Sequence, residues 1–251
     1  MYIYETHLHT KEASACATSH ACEYPEFYKN QGFDGIFITD HFFNGNCAVN
    51  RHPHDWERMV NDFCKGYEEA KKAGDAIGFP VFFGWEANFE GDEFLIYGLD
   101  KIWLMNHPDI LSWNRTKQYD MIRRDGGLVV QAHPFRDRSY ISTIHLNPYT
   151  CDAMEAYNSG NPTIQNNNAE LYCKANNIFM TAGSDIHLVG SFTGASLYGM
   201  EFDTPLSSEQ DYVKNILNKR GNIHVPASER ITNGEIITDL PVITHERENY
   251  I

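Results

Sequence analysis

Residues 35–41 read Gly35-Ile36-Phe37-Ile38-Thr39-Asp40-His41, a short run of β-branched and aromatic residues that ends on two polar, metal-competent side chains. A run of this length, bounded by glycine and by polar residues, reads as a buried strand. The same figure recurs along the chain. Tyr2-Ile3-Tyr4 leads into His7-Leu8-His9. Phe82-Phe83-Gly84-Trp85 is followed by Glu86, and Val129-Val130-Gln131-Ala132 by His133. Met180-Thr181-Ala182-Gly183-Ser184 gives way to Asp185, with His187 two residues further on.

Strands are expected at 1–6, 35–39, 80–84, 93–98, 128–132, 153–156, 178–182 and 195–200. Helical spacing of apolar residues falls between them, at 24–31, 55–73, 108–125, 163–176 and 207–220. Gly32 and Gly74 are the expected stops of the first two helices, and Ser207 with Gln210 has the spacing of a capping box. Strand and helix alternating about seven times predict a parallel sheet with crossover helices, and a closed barrel fits the count better than an open sheet. No GxGxxG or phosphate-loop motif is present, which disfavours nucleotide-cofactor folds. Residues 1–251 are expected to form one unit, with the motifs in 1–200 and a polar tail at 226–251 that the pattern does not place.

In a parallel barrel all strand C-termini share one face. Residues distant in sequence would then meet there. His7 and His9 lie at i and i+2 on an extended segment, so their side chains point the same way and can grip one ion together. The converging set of His, Asp and Glu suits Zn²⁺, Mn²⁺ or Fe²⁺ rather than a closed cysteine site. Glu86 is the candidate bridging carboxylate. Two such ions about 3.5–4 Å apart activate a water and stabilise in-line displacement at phosphorus.

Composition narrows the partners. The chain has 251 residues, 34 acidic against 20 basic, for a formal net charge of −14. That charge disfavours extended nucleic acid and anionic membranes, while a small anionic substrate stays compatible if metal ions invert the local charge. Six cysteines occur without a CxxC pair, and the chain opens in a strand-like segment with no signal-peptide pattern and no apolar run of membrane-spanning length. A reduced, cytoplasmic protein is the expectation. Oligomeric state is not readable.

HLHT at 7–10, ITDH at 38–41, the strand ending in Glu86, AHP at 132–134 and GSDIH at 183–187 resemble the PHP (polymerase and histidinol phosphatase) superfamily, in the family's order. The similarity spans roughly residues 1–200. It implies a distorted (β/α)7 barrel and a metal-dependent phosphoesterase with two or three divalent ions. It also implies that His7, His9, Glu86 and Asp185 hold one ion, that Glu86 and His133 share a second, and that His41 and His187 contribute to a third. Two departures stand out. Many members carry a further His or Asp five or six residues after the paired histidines, where this chain has Ser14-Ala15-Cys16; Glu12, slightly earlier, is the expected substitute ligand. Many also carry a His before an apolar run ending in glycine, where this chain reads Glu93-Phe94-Leu95-Ile96-Tyr97-Gly98. Phe94 cannot bind a metal and Glu93 can, so the set admits two ions or three.

Other side chains have candidate roles. Arg136 is placed to clamp a phosphate as a bidentate donor. Asp185 and His187 are candidates for relaying protons. Asp40 could orient a ligand from behind. Arg51, His52 and His54 sit in a loop that would shape specificity, and Glu155 ends a strand beside the same face without an evident role. His20, His107, His145, His224 and His245 read as ordinary. Two competing readings remain open. An amidohydrolase-like metal hydrolase would also open with HxH, although such barrels carry a bridging lysine on a middle strand and none is found here. A non-catalytic metal-binding scaffold is the third reading.

Overall fold

The computed structural model describes residues 1–139, 141, 143–194 and 196–226, together with the backbone of residues 242–245. Eleven strands are found among them: β1 Tyr2–Glu5, β2 Gly35–Ile38, β3 Val81–Phe89, β4 Asp92–Tyr97, β5 Leu128–Gln131, β6 Thr143–Leu146, β7 Ala153–Asn158, β8 Phe179–Gly183, β9 Gly199–Phe202, β10 Asn222–His224 and β11 Val242–His245. Nine of these form one sheet in the order β10-β9-β1-β2-β3-β4-β5-β7-β8. Its last strand, β8, lies back against β9 and β10. The sheet therefore curls into a nearly closed barrel with helices around it. The α/β barrel expected from the alternating pattern is present, in distorted form.

The distortion has a local cause. Strands β1, β2 and β3 run parallel, as do β5, β7 and β8, but β4 runs antiparallel to both β3 and β5. The expected parallel order fails here because β3 continues past Glu86 to Phe89 and turns back through Glu90-Gly91. Both turn residues have positive φ, 55° and 103°. A two-residue connection of that kind matches the strand twist and closes a hairpin. Strand β9 is likewise antiparallel to β1.

Among the described residues seven α-helices pack outside: α1 Tyr24–Asn30, α2 Trp56–Phe63, α3 Lys65–Ile77, α4 Lys101–Met105, α5 Arg115–Arg124, α6 Thr163–Asn176 and α7 Glu209–Leu217. The single helix expected over 55–73 is two, broken at Cys64. The second runs through Gly74 and stops at Gly78, which takes the left-handed conformation (φ 65°). Gly74 is needed for packing instead, since a Cβ there would lie 2.7 Å from Val81 Cγ2. The expected helix at 108–125 begins only at Arg115, capped by the Asn114 side chain. The last helix is capped by Ser208, not Ser207: Ser208 Oγ accepts from the Asp211 amide.

The core is aromatic. Trp85, Phe42, Phe43, Phe63 and Phe94 are buried in one cluster between the sheet and α2, α4 and α5. Each such side chain contributes about 1.5–3 kcal/mol by leaving water. From the tail at 226–251, residues 242–245 form β11, parallel to β6; residues 227–241 and 246–251 lie outside the described residues. No helix among the described residues is long and apolar enough to cross a membrane.

Candidate metal centre

Ligand-type side chains meet at one end of the barrel. His7 follows β1, His41 follows β2, His133 follows β5 and Asp185 follows β8. Glu86 lies within β3 rather than after it, bridged across the sheet to His41. Four groups of ligand atoms lie within 4.8 Å of one another: His7/His9/Asp185, His7/Glu86/His133, His41/Glu86/Glu93 and His9/His41/His187. Glu86 belongs to two of them, and so do His7, His9 and His41. That sharing is what a cluster of two or three ions with bridging carboxylates requires.

The imidazoles are held from behind so that one nitrogen faces the centre. His7 Nδ1 is 2.9 Å from Glu155 Oε1. That contact leaves Nε2 facing His9 Nε2 at 3.1 Å, Glu86 Oε1 at 3.3 Å and Asp185 Oδ1 at 3.4 Å. His9 is set by a relay. Ser14 Oγ donates to Asp40 Oδ1 at 2.7 Å and therefore accepts from His9 Nδ1 at 3.1 Å, which leaves His9 Nε2 a bare acceptor 3.0 Å from Asp185 Oδ1. Asp40 also accepts from the Thr10 amide and hydroxyl. So Asp40 orients a ligand through Ser14, and the ligand is His9 rather than its neighbour His41. His187 Nδ1 is 2.8 Å from the Asp185 carbonyl, which fixes its tautomer with Nε2 free.

Two of the candidate ligands stand on strained backbone. His133 has φ 28° and Asp185 φ 56°. Left-handed conformations in such residues cost about 1–3 kcal/mol each and are held only where the surroundings enforce them. Here the His133 amide donates to Glu155 Oε2 at 3.1 Å, and the Asp185 amide to the His7 carbonyl at 2.7 Å. Gly183 makes the second arrangement fit: a Cβ there would lie 2.6 Å from His7 Cβ and 2.9 Å from Glu155 Oε1.

The electrostatics suit a cation. His41 Nδ1 and Glu86 Oε2 lie 2.8 Å apart, yet both are buried atoms without an aligned hydrogen-bond partner. Burial pushes the Glu86 carboxyl up, but the charges of His7 and His41, and the contact with His133, outweigh it and hold the group well below the ordinary carboxylate range. Burial would lower His41, yet Glu86 above all lifts it to about 11. Burial, then the charges of His41 and His187, drives His9 well below its ordinary value. Binding of a divalent ion would require these groups in their deprotonated forms.

Glu12 does not join the centre. Its carboxylate accepts from His20 Nδ1 at 2.8 Å and the Ala21 amide at 3.0 Å, tying down the following turn. The thiol that follows stands nearer: Cys16 lines the same cavity as His41, Glu86, Asp185 and His187. Burial would raise that thiol; these two histidines bring it down to about 6. Glu93 is drawn in by the antiparallel hairpin, 3.4 Å from His133 Nε2 and 3.9 Å from His41 Nδ1. In a parallel barrel the first residues of a strand would sit at the opposite end. Arg136 Nη2 is 2.6 Å from Asp185 Oδ2 and also donates to Asn158 Oδ1. His52 and His54 line a separate cavity with Arg51 and Trp56. His20, His107, His145 and His224 stand with other partners, on Glu12, Trp103, Asp92 and Glu201.

Two cavities open onto the cluster. One, of about 370 Å³, is lined by Asn88, Asp92, Glu93, His133 and Arg136, among others. The other, of about 590 Å³, lies over Cys16, His41, Glu86, Asp185 and His187.

The fold is shared with a solved structure. A candidate metal-dependent phosphoesterase from Bifidobacterium adolescentis ATCC 15703 superposes with a TM-score of 0.53 at 18% identity, over 86% of this chain and 96% of that one. An amidohydrolase from Chromobacterium violaceum, solved with bound sulfate and no metal, gives a TM-score of 0.48 at 14% identity, over 89% of this chain and 98% of that one. No family model matches the sequence, and no curated protein matches it significantly.

Proposed function

We propose that this chain is a PHP-type phosphoesterase that hydrolyses a small phosphate ester at a di- or trinuclear metal centre. The observation that carries the reading is the buried convergence of His7, His9, His41, Glu86, Glu93, His133, Asp185 and His187, with the unsatisfied His41 Nδ1 and Glu86 Oε2 at its middle. Neutral imidazoles and carboxylates together match Zn²⁺, Mn²⁺ or Fe²⁺.

When bound, the divalent ions supply Lewis acidity at the phosphoryl oxygens and lower the pKa of water. The chain's own residues do the rest. Arg136 is held by Asp185, Asn158 and Asn161 through Nη2 and Nε, which leaves Nη1 to meet a non-bridging phosphate oxygen. Asp185 is the carboxylate placed to take a proton at the open side, with Oδ1 toward His9 and Oδ2 toward Arg136. Glu155, Asp40 and Ser14 keep His7 and His9 oriented so that no reorganisation is needed on binding. The centre of the cluster is Glu86, and no lysine lines either cavity, which favours phosphate chemistry over the lysine-bridged amidohydrolase arrangement. Cavities of this size take a small organic phosphate, and the net charge of −14 argues against extended nucleic acid. We assign the protein to a reducing cytoplasm, in keeping with its six free cysteines.

The test is elemental analysis of chelator-free protein followed by a panel of phosphomonoesters and phosphodiesters. Two or three equivalents of metal, lost in a Glu86→Ala/Asp185→Ala double variant together with phosphate release, are expected. A metal-loaded protein that cleaves amides or lactones and leaves every phosphate ester intact overturns the reading.

A further inference from the structure

We infer that Cys16 is a metal ligand, completing with His41 and His187 a thiolate-containing position at the outer edge of the cluster. The inference rests on the metal-centre reading above and adds to it a ligand that changes which ion that position prefers.

Three observations support it. Cys16 lines the cavity that also holds His41, Glu86, Asp185 and His187. Those histidines, with His9, already bring three ligand nitrogens within 4.8 Å of one another. The His9 ring lies 4.2 Å from that of His41 and 4.4 Å from that of His187, centroid to centroid. Three imidazoles packed together, with Glu86 and Asp185 against His41 and His9, form a donor set that a positive ion would hold. The second observation is the tautomer of His187: with Nδ1 on the Asp185 carbonyl at 2.8 Å, its Nε2 is the free atom. The third is that the nearby carboxylate which could have served, Glu12, is committed to His20 Nδ1 and the Ala21 amide. Cys16 is what the chain presents in its place.

The chemistry follows from the donor set. On ion binding the Cys16 S–H bond gives up its proton to solvent, and sulfur donates a lone pair to the ion with no change in oxidation state. A thiolate with two imidazoles is a soft, tetrahedral-type set that selects Zn²⁺, or Co²⁺ as its substitute, over Mn²⁺. The positions built around Glu86, Glu93 and Asp185 are oxygen-richer. One cluster would thus hold chemically unlike ions.

The experiment is cobalt substitution of chelator-treated full-length protein, read by near-ultraviolet thiolate-to-cobalt charge-transfer absorption and by elemental analysis. The native chain should show the band. Cys16→Ser should lose the band and up to one equivalent of cobalt while keeping the remainder. Cys16→His should recover the equivalent without the band. Alkylation mapped by mass spectrometry gives an independent readout: both Cys16 and Cys22 are exposed, and metal should protect Cys16 alone. Cobalt bound at two equivalents without a band, or a band that persists in Cys16→Ser, overturns the Cys16 assignment and leaves the metal centre standing. No cobalt bound at all overturns both.

Discussion

Glu155 holds two ligands with one carboxylate: Oε1 lies 2.9 Å from His7 Nδ1, and Oε2 accepts the His133 amide at 3.1 Å. The same oxygen, Oε2, takes a third bond from Asn158 Nδ2 at 2.9 Å. One buried side chain therefore sets the tautomer of His7 and braces the left-handed backbone of His133, without facing the ions itself.

Glu155→Gln should keep the fold and lose metal. Loss of such a partner costs about 10–100-fold in metal affinity. Competition with a fluorescent chelator measures it. Unchanged affinity would mean that His7 is oriented by packing alone.

Glu93 and Glu12 separate cleanly. Glu93→Ala should reduce bound metal by as much as one equivalent, because its carboxylate faces His133 and His41. Glu12→Ala should leave metal content unchanged and shift stability by about 1 kcal/mol or less, the value of a partly exposed hydrogen-bonding group. Elemental analysis of both variants checks this, and metal loss in Glu12→Ala contradicts it.

Metal-free protein should become less stable as pH rises from 4.5 to 7 through Glu5. This carboxyl lies under the centre and accepts from the His7 and Ser184 amides and the Tyr28 hydroxyl. Burial lifts it from 4.5 to about 7, against the pull of those hydrogen bonds. The native state thus binds the proton more tightly than the unfolded chain. The contribution is full below pH 4.5, declines as pH rises and is gone above about 7, and the span corresponds to about 3 kcal/mol. Urea denaturation of chelator-treated protein should show this decline, and Glu5→Gln should flatten it. Parallel pH profiles for the two would remove Glu5 as the cause.

Gly183→Ala should damage both stability and site. The added methyl meets His7 Cβ at 2.6 Å and Glu155 Oε1 at 2.9 Å, so backbone or ligand has to move. Overpacking of this kind costs about 1–3 kcal/mol. Thermal unfolding with and without metal should show a larger loss in the metal-loaded protein.

The sequence made the barrel and most of the converging residues readable because strands ending in His, Asp and Glu carry their own signature. The hairpin was hidden. Glu90-Gly91 is a turn signal, but Phe89 and Phe94 on either side read as separate apolar runs, and only the observed register shows them pairing. Without that reversal, Glu93 belonged to the wrong end of the barrel. Glu155 is legible as a residue beside the site face, but its role is not, because that role lies in what it touches. Around Cys16 the signal is mixed: the family resemblance points to a ligand near residues 14–16, while charge points to Glu12. Distance along the chain could not show that Glu12 is spent on His20 and Ala21.

His133 and Asp185 both sit where an L-residue pays for its conformation. Selection for a durable apoprotein would place glycine or asparagine at such positions, and the chain carries neither. Durability and ion capture therefore pull these two codons in opposite directions. Variants recovered from a screen for heat resistance alone, in medium stripped of divalent ions, should accumulate substitutions at 133 and 185 first, and each gain should be matched by a chain that can no longer hold its ions.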